Sequence, residues 1–430
     1  MTTRLRFAIA LCLVSIGTAS FAVAFRASLA WWYQAVFHAS NVVDAVAAVP
    51  WWLRLTLPTL GGLAAGVISR LRASPAQGVS NVMEAVVLGN VQLSVRTTLS
   101  RVASSWTAIA CGMSIGREGP LIEFGGTIGA ACGRRMRVHL DGIRVLVAAG
   151  TAAGFAAAYN TPFSAVLFVL ETIVGVAAPL AMLPVIAATI MATVVTRTIV
   201  GAGPIYGQRA FALGSFVDLL WCGALGLLAA IAAFAFKRAL ALIEDRFEQH
   251  PLTQPLRATL GGALVGAIAI GLPEVAGNGY EPLNTMLDQR MIVGSIALLA
   301  VAKVIATSLS VSSGVPGGIF TPMLLVGAAV GTLWGHVAEV VSGAPLAAGS
   351  YALVGMAATT AASIHAPLTA AVLAFELSGD YPIVLPLLLA TLVSTSLSRA
   401  IGSESVYEAE LHRRGLGWEL TLEGRRPRHK

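Results

Sequence analysis

The chain is short of charged residues. Only 11% of its 430 residues are Asp, Glu, Lys or Arg, whereas soluble globular proteins carry about 25%. Hydrophobic residues make up 56% of the chain, and the mean hydropathy is +0.79. This composition excludes a soluble globule and indicates a polytopic membrane protein.

The sequence also lacks the usual patterns of metal, disulfide and enzyme sites. Its four cysteines lie apart in apolar surroundings without CxxC spacing, and HExxH, Walker A and GxSxG patterns do not occur. We therefore predict no metal, no cofactor and no enzymatic activity. A membrane enzyme using Glu118 or Glu171 as a base is the alternative from another class, but no second catalytic group stands at a suggestive spacing.

Basic residues are concentrated at the N-terminus, in residues 134–144 and in the tail 411–430. Such segments face the cytoplasm, so both termini are predicted inside, with 411–430 as a short basic cytoplasmic tail. This bias accounts for the net charge of +7, and we predict no nucleic-acid binding. The apolar run 7–25 is interpreted as a retained helix. A secretory signal is the alternative, although no convincing cleavage site precedes Arg26.

Parts of the first half of the chain recur in the second half. Three pairs of segments match in the same order: 116–133 with 318–335, 160–171 with 365–376, and 183–197 with 385–399. The basic loop 134–144 has a counterpart at 336–346 without lysine or arginine. We therefore predict one domain, 1–410, built from inverted-topology halves at roughly 7–200 and 211–401.

Several apolar runs are shorter than the about 20 residues that a membrane-spanning helix needs. They are interrupted by glycine and proline at matching positions of the two halves. Broken helices of this kind line cavities rather than lipid, and they meet at a substrate site near the membrane midplane. The predicted class is an all-α transporter or channel.

The sequences GREGP (116–120) and GIFTP (318–322) predict an anion site. Each ends in a proline followed by apolar sequence, so a helix is predicted to begin at Pro120 and at Pro322. The glycines let backbone N–H groups approach a ligand, and the positive helix ends favour an anion without any full positive charge. Such a site binds weakly enough to release its ion quickly.

Glu118 places a carboxylate inside this predicted anion site. The carboxylate is itself a tethered anion, so it can compete with a free anion for the helix starts. Protonation would remove that competition, which would gate anion passage by pH or couple it to protons. The alternative interpretation is a structural pair between Glu118 and Arg117.

These motifs, with the NTPFSAVLFVLE and HAPLTAAVLAFE blocks and a terminal VYEAEL, resemble the CLC chloride channels and chloride/proton antiporters over nearly the whole chain. The resemblance implies a homodimer in the lipid bilayer, with a separate chloride pathway in each subunit and an interface formed by helices near 183–200 and 385–401. Without long cytoplasmic regulatory domains, the chain fits a bacterial inner-membrane protein.

The resemblance also implies roles for individual residues. Glu118 corresponds to the external gating glutamate, and the backbone amides of Gly318, Ile319 and Phe320 to those holding the central anion. Tyr407 corresponds to the tyrosine whose hydroxyl touches that anion. The alternative for Tyr407 is an aromatic anchor at the membrane interface.

Two positions depart from the family pattern. Gln77, followed by Gly78 in the segment 76–80, replaces a serine that contributes to anion binding. An amide can donate to an anion, but selectivity for fluoride, nitrate or another anion stays open. Thr172 replaces the glutamate of the internal proton route. A proton-coupled antiporter and a passive chloride channel therefore both remain possible.

Three further ionisable residues stand in apolar sequence. Glu171 and Glu376 occupy equivalent positions in the two halves, so we interpret them as hydrogen-bond partners at helix ends or between helices rather than as transport groups. Lys303 is expected to face a cytoplasmic vestibule or to extend its ammonium group toward the membrane surface.

Overall fold

The structure, a computed structural model, describes residues 2–70, 78–175, 179–207, 216–288, 290–343, 348–416, 418–421 and 424–427. The first half contains α1 (Thr3–Phe37), α2 (Val42–Ala48), α3 (Trp51–Arg70), α4 (Gly78–Val87), α5 (Val95–Ala110), α6 (Glu118–Arg135), α7 (Leu140–Tyr159), α8 (Pro162–Phe168), a π-helical segment (Val169–Val174) and α9 (Pro179–Val200).

The second half contains α10 (Phe216–Glu248), α11 (Gln254–Gly271), a 3₁₀ turn (Pro273–Val275), α12 (Tyr280–Leu287), α13 (Val293–Ser312), α14 (Phe320–Ser342), α15 (Ala348–Ile364), α16 (Pro367–Ser378) and α17 (Val384–Ala400). The short helix α18 (Val406–Arg413) follows. In the tail, β1 (Trp418–Thr421) and β2 (Gly424–Pro427) pair antiparallel. The sequence did not predict this small hairpin.

Within the described residues, six helical stretches are long and apolar enough to cross a membrane: Thr3–Ala48, Leu140–Tyr159, Met182–Val200, Phe216–Glu248, Val293–Ser312 and Phe320–Ser342. Among the shorter apolar helices, α8 lies between these stretches and α16 follows the last of them. Long and short apolar helices together match the predicted broken-helix pattern. The chain is therefore a multi-span membrane protein with a helical body.

The matching segments of the two halves meet in space. Gly116 and Gly318 form an antiparallel backbone bridge. When two copies of a segment are related by a two-fold axis that passes through their contact, the copies run in opposite directions. An inverted repeat with its axis in the membrane plane has this arrangement. This contact agrees with the predicted arrangement of two inverted-topology halves.

The helices that follow the bridge pack in the same way in both halves. Helix α6 crosses α7 where Gly125 faces Gly150, and α14 crosses α15 where Gly327 faces Gly355. A side chain at any of these glycines would meet the backbone of the facing helix. Small residues thus let the helices approach closely and bury α7 and α15 at the centre of the molecule.

Each half also caps a short helix of the other half. The Glu171 carboxylate accepts hydrogen bonds from the N–H groups of Leu368 at 3.1 Å and Thr369 at 2.7 Å, at the start of α16. Glu376 accepts equivalent bonds at the start of α8, at 3.0 and 2.8 Å. The first N–H groups of a helix lack intrahelical partners, so the predicted structural role of both glutamates is confirmed.

Helices α6 and α14 begin earlier than predicted. The predicted starts were Pro120 and Pro322, but α6 begins at Glu118 and α14 at Phe320. Both prolines still lie in the first turn, where a missing N–H removes no intrahelical bond. Glu118 thereby belongs to the first turn of α6, close to the positive end of the helix.

Candidate anion site

Two backbone hydrogen bonds join the glycine-rich turns that precede α6 and α14. The Gly116 N–H donates to the Gly318 carbonyl at 2.6 Å, and the Gly318 N–H donates to the Gly116 carbonyl at 2.7 Å. Both helices begin just beyond this bridge. Their positive ends and free N–H groups therefore come together at one place, which favours a negative charge there.

The carboxylate of Glu118 occupies this place. The residue is 2% exposed, and its Oε1 accepts a hydrogen bond from the Thr321 hydroxyl at 2.5 Å. Its Oε2 lies 3.1 Å from the position that a Cβ would take at Gly318. A Cβ at Gly116 would also collide with the carboxylate. The two glycines thus make room for this side chain between the halves.

The alternative pairing between Glu118 and Arg117 has no support in the described part of the chain. The hydroxyl of Thr321 is the partner of Oε1, and Oε2 has no hydrogen-bond partner there. The buried Nε of Arg117 likewise has no hydrogen-bond partner among the described residues. Glu118 is therefore a buried carboxylate held by a neutral hydroxyl rather than by a cation.

A cavity of about 410 Å³ extends from Glu118 to charged residues of α10 and α18. It brings six of the predicted site residues to one surface: Gly78, Glu118, Gly318, Ile319, Phe320 and Tyr407. Gln77, the seventh predicted anion-site residue, lies outside the described residues. Basic side chains line the same cavity, including Arg101 and Arg257. Glutamates line it as well, and Glu123, Glu244 and Glu410 pair with Arg101, Arg413 and Arg414. The feature that suits an anion is therefore the polar backbone at the starts of α6 and α14, not the net charge of the lining.

Aromatic rings surround Phe320 at the start of α14. The ring centroids of Phe155 and Tyr159 each lie 5.6 Å from that of Phe320. Phe168 lies 6.4 Å from Phe320 and 6.4 Å from Tyr407, which is 8% exposed. These contacts fix the rings, and hence the backbone of the turn, beside the cavity.

The backbone N–H of Gly78 donates a hydrogen bond to a carboxylate of the protein itself. Its φ of +62° is a backbone conformation that favours glycine, and its N–H donates to Glu123 Oε2 at 3.2 Å. Glu123 is buried, is ion-paired with Arg101 and accepts a hydrogen bond from Asn81. Sequence reasoning missed this Glu123–Arg101 pair. The sequence does contain one sign of it: Glu123 stands where the equivalent position of the second half has the apolar Leu325.

Polar contacts attach α18, which carries Tyr407, to the walls of the cavity. Arg413 pairs with Glu244 of α10, and Arg414, directly after α18, pairs with Glu410 and donates to Asn81 of α4. The hydroxyl of Ser80 in α4 donates to Glu410 at 2.7 Å. These contacts orient α18, so Tyr407 is held on the cavity wall.

Thr172 lies in the π-helical segment and is 1% exposed. Its hydroxyl has no hydrogen-bond partner within the ranges that the structure describes, and Thr172 is not among the described residues that line the cavity. At this position a buried neutral hydroxyl therefore lies outside the lining of the cavity.

The expectation for Lys303 is wrong. The residue is fully buried, and its ammonium group donates to the carbonyls of Val275 at 2.9 Å and Gly277 at 2.8 Å. Lys303 thus binds the backbone around the 3₁₀ turn and reaches neither a vestibule nor the membrane surface. The end of the 3₁₀ turn leaves carbonyl groups that an ammonium group can satisfy.

Comparison with known proteins gives a consistent result. A family model described as voltage gated chloride channel matches residues 60–399. Over 409 residues the chain is 38% identical to a putative chloride channel protein, ClcB-like, of Ralstonia nicotianae, covering 94% of this chain and 95% of the relative. It is 30% identical to the voltage-gated ClC-type chloride channel ClcB of Citrobacter koseri, covering 85% of this chain and 89% of that relative.

A solved structure has the same fold. The crystal structure of a slow cyanobacterial Cl⁻/H⁺ antiporter superposes with a TM-score of 0.84, covering 95% of this chain and 98% of the antiporter chain. The two sequences are 24% identical. At this identity the likeness establishes the arrangement of helices.

Proposed function

Because the chain belongs to the voltage-gated chloride channel family, we propose that it carries chloride across a membrane and that Glu118 gates the pathway. The observation that carries this proposal is the buried Glu118 carboxylate beside the Gly116–Gly318 bridge, at the starts of α6 and α14. A protein carboxylate lies where helix ends and free N–H groups favour an anion. The two anions then compete for one place.

The gate follows from this competition. While Glu118 is ionised, its carboxylate fills the place and chloride cannot enter. Protonation removes the charge and with it the attraction to the helix ends. Chloride then binds to the backbone N–H groups at Ile319 and Phe320, with the hydroxyl of Tyr407 on the cavity side. Contrary to the expectation from the sequence, the Gly318 N–H does not take part, because it donates to the Gly116 carbonyl. Acid therefore opens the path.

Proton coupling is proposed to be weak. A relay residue must take up and release protons near physiological pH, which a threonine hydroxyl does not do. Thr172 is buried, its hydroxyl lacks a partner in the described chain, and it stands apart from the cavity lining. A coupled antiporter is one candidate function, and a channel-like chloride pathway is the second. These observations favour the second candidate.

The wider setting is also proposed. Residues 1–410 form one transmembrane unit in a bacterial inner membrane, with both termini and the tail 411–430 in the cytoplasm. The protein is a homodimer that pairs through α9 and α17, whose surfaces expose apolar side chains such as Ile190 at 54% and Leu392 at 59%. Apolar side chains of α10 and α13 are as exposed, and apolar surface in lipid does not by itself drive association, so the choice of α9 and α17 follows the family resemblance.

A flux assay tests the function. Purified protein in liposomes should release chloride while potassium and sodium stay inside, because the helix ends present positive potential to the permeating ion. Proton movement is recorded in the same vesicles to separate a channel from an antiporter. Equal flux of cations and chloride would reject the proposal. If fluoride or nitrate passed while chloride did not, the transported ion would be another anion, and the substitution at Gln77 would be the first explanation for the changed selectivity.

A further inference from the structure

We infer that Thr321 and Tyr159 are positioning residues that hold the ionised Glu118 carboxylate in the anion path and so set the pH at which the path opens. The inference rests on the proposed gating role of Glu118. The Thr321 hydroxyl donates to Glu118 Oε1 at 2.5 Å, and the Tyr159 hydroxyl lies 2.9 Å from the Thr321 hydroxyl. The three side chains form one hydrogen-bonded chain.

The direction of this chain follows from the number of protons. A threonine hydroxyl has one proton and two acceptor lone pairs. An ionised Glu118 can only accept, so in that state Thr321 donates to Glu118 and Tyr159 donates to Thr321. A hydroxyl that donates to a carboxylate stabilises the ionised form of that carboxylate. The chain therefore stabilises the charged, path-blocking form of Glu118.

The side chains of this hydrogen-bonded chain are largely shielded from solvent. Glu118, Thr321 and Tyr159 are 2%, 1% and 5% exposed. The ring of Tyr159 is fixed by Phe155 and Phe320, with centroid distances of 5.0 and 5.6 Å. In such a buried setting a lost hydroxyl leaves an acceptor that solvent does not readily satisfy.

The chain also joins the two halves. Tyr159 is the last residue of α7 in the first half, whereas Thr321 lies in the first turn of α14 in the second half. Glu118, at the start of α6, receives its hydrogen bond from the opposite half. The position of the gate is thus tied to the contact between the repeats.

Other titratable or charged groups act on this region from the neighbouring elements. They are Arg26 of α1, Arg101 of α5, Lys303 of α13, Tyr206 before α10, Tyr407 of α18 and, on the turn and helix of Glu118 itself, Arg117 and Glu123. Within the described chain none of them makes a hydrogen bond to Glu118. All stay unchanged in the variants below, so the variants isolate the hydroxyl chain.

The experiment measures chloride efflux from liposomes over a range of acidic to neutral pH. Thr321→Val removes the hydroxyl and keeps the branched shape of the side chain. The ionised form of Glu118 then loses a hydrogen bond, so half-maximal flux should move to higher pH by about one to two units. Tyr159→Phe should shift it in the same direction by less, and Thr321→Ser should restore the wild-type value.

Thr332→Val is the matched control. Thr332 is on the same helix, is 1% exposed, and donates only to the Ala328 carbonyl within α14. This variant should keep the wild-type pH profile. In a Glu118→Gln background, Thr321→Val should produce no shift, because the group that it positions is no longer charged.

Wild-type pH profiles for both Thr321→Val and Tyr159→Phe, in dimers of normal size-exclusion behaviour, would overturn the inference and leave the gating proposal intact. If Thr321→Val does not fold, Tyr159→Phe decides alone, since its hydroxyl is at the far end of the chain. If instead the wild type shows no chloride flux, or Glu118→Gln remains pH-dependent, the proposed function fails and this inference fails with it.

Discussion

Glu118→Gln is expected to raise chloride flux at neutral pH and to remove its pH dependence. The amide keeps the size of the side chain but carries no charge, so the attraction to the starts of α6 and α14 is lost. The charge-assisted bond from Thr321 at 2.5 Å is lost as well. A hydrogen bond to a charged group contributes about 1.5–3 kcal/mol. Occupancy of the blocking position should therefore fall by about ten- to a hundredfold.

The assay is chloride efflux from liposomes at one neutral and one acidic pH. The wild type should be slow at neutral pH and fast in acid, while Glu118→Gln should be fast at both. Glu339→Gln is the control, because this side chain is 41% exposed on α14, far from the bridge, and faces His336. A variant that elutes normally but carries no chloride, or that keeps the pH response, would refute the gating argument.

Three other predictions concern coupling, stability and assembly. Thr172→Glu should increase the number of protons moved per chloride, and an unchanged ratio in a folded variant would reject the account of a missing relay. Glu171→Ala should destabilise the protein by about 1–2 kcal/mol because two N–H groups of α16 lose their cap. Glu376→Ala should destabilise it by a similar amount, and a lower Tm would show either effect. Ile190→Trp combined with Leu392→Trp should yield monomers on size exclusion, and an intact dimer would exclude α9 and α17 as its interface.

The repeat in the sequence predicted the main features of the fold. Broken helices of inverted halves line a common site at the repeat interface, so Glu118 was expected near Gly318 although they are distant along the chain. The backbone bridge between Gly116 and Gly318 brings the two segments together as expected. Four of the six predicted site residues that line the cavity, Glu118, Gly318, Ile319 and Phe320, belong to these repeated segments, whereas Gly78 and Tyr407 were predicted from the family resemblance.

Side-chain partners between different helices were not predictable from spacing. Thr321 reads as an ordinary residue of GIFTP, and only the orientation of α7 brings Tyr159 to its hydroxyl. Glu123 and Arg101 each interrupt an apolar helix, but their pairing depends on how α5 crosses α6. Lys303 was misplaced because the sequence does not reveal the carbonyl groups of the 3₁₀ turn that surround its ammonium group.

The central claim is that the Glu118 carboxylate and chloride compete for the same place. Isothermal titration calorimetry of chloride at neutral pH tests it directly, with the wild type compared with Glu118→Gln. Removing the competitor should tighten chloride binding by about tenfold or more, in line with the lost charge-assisted bond, or add a bound ion per subunit. Equal affinity and equal stoichiometry in the two folded proteins would contradict the account.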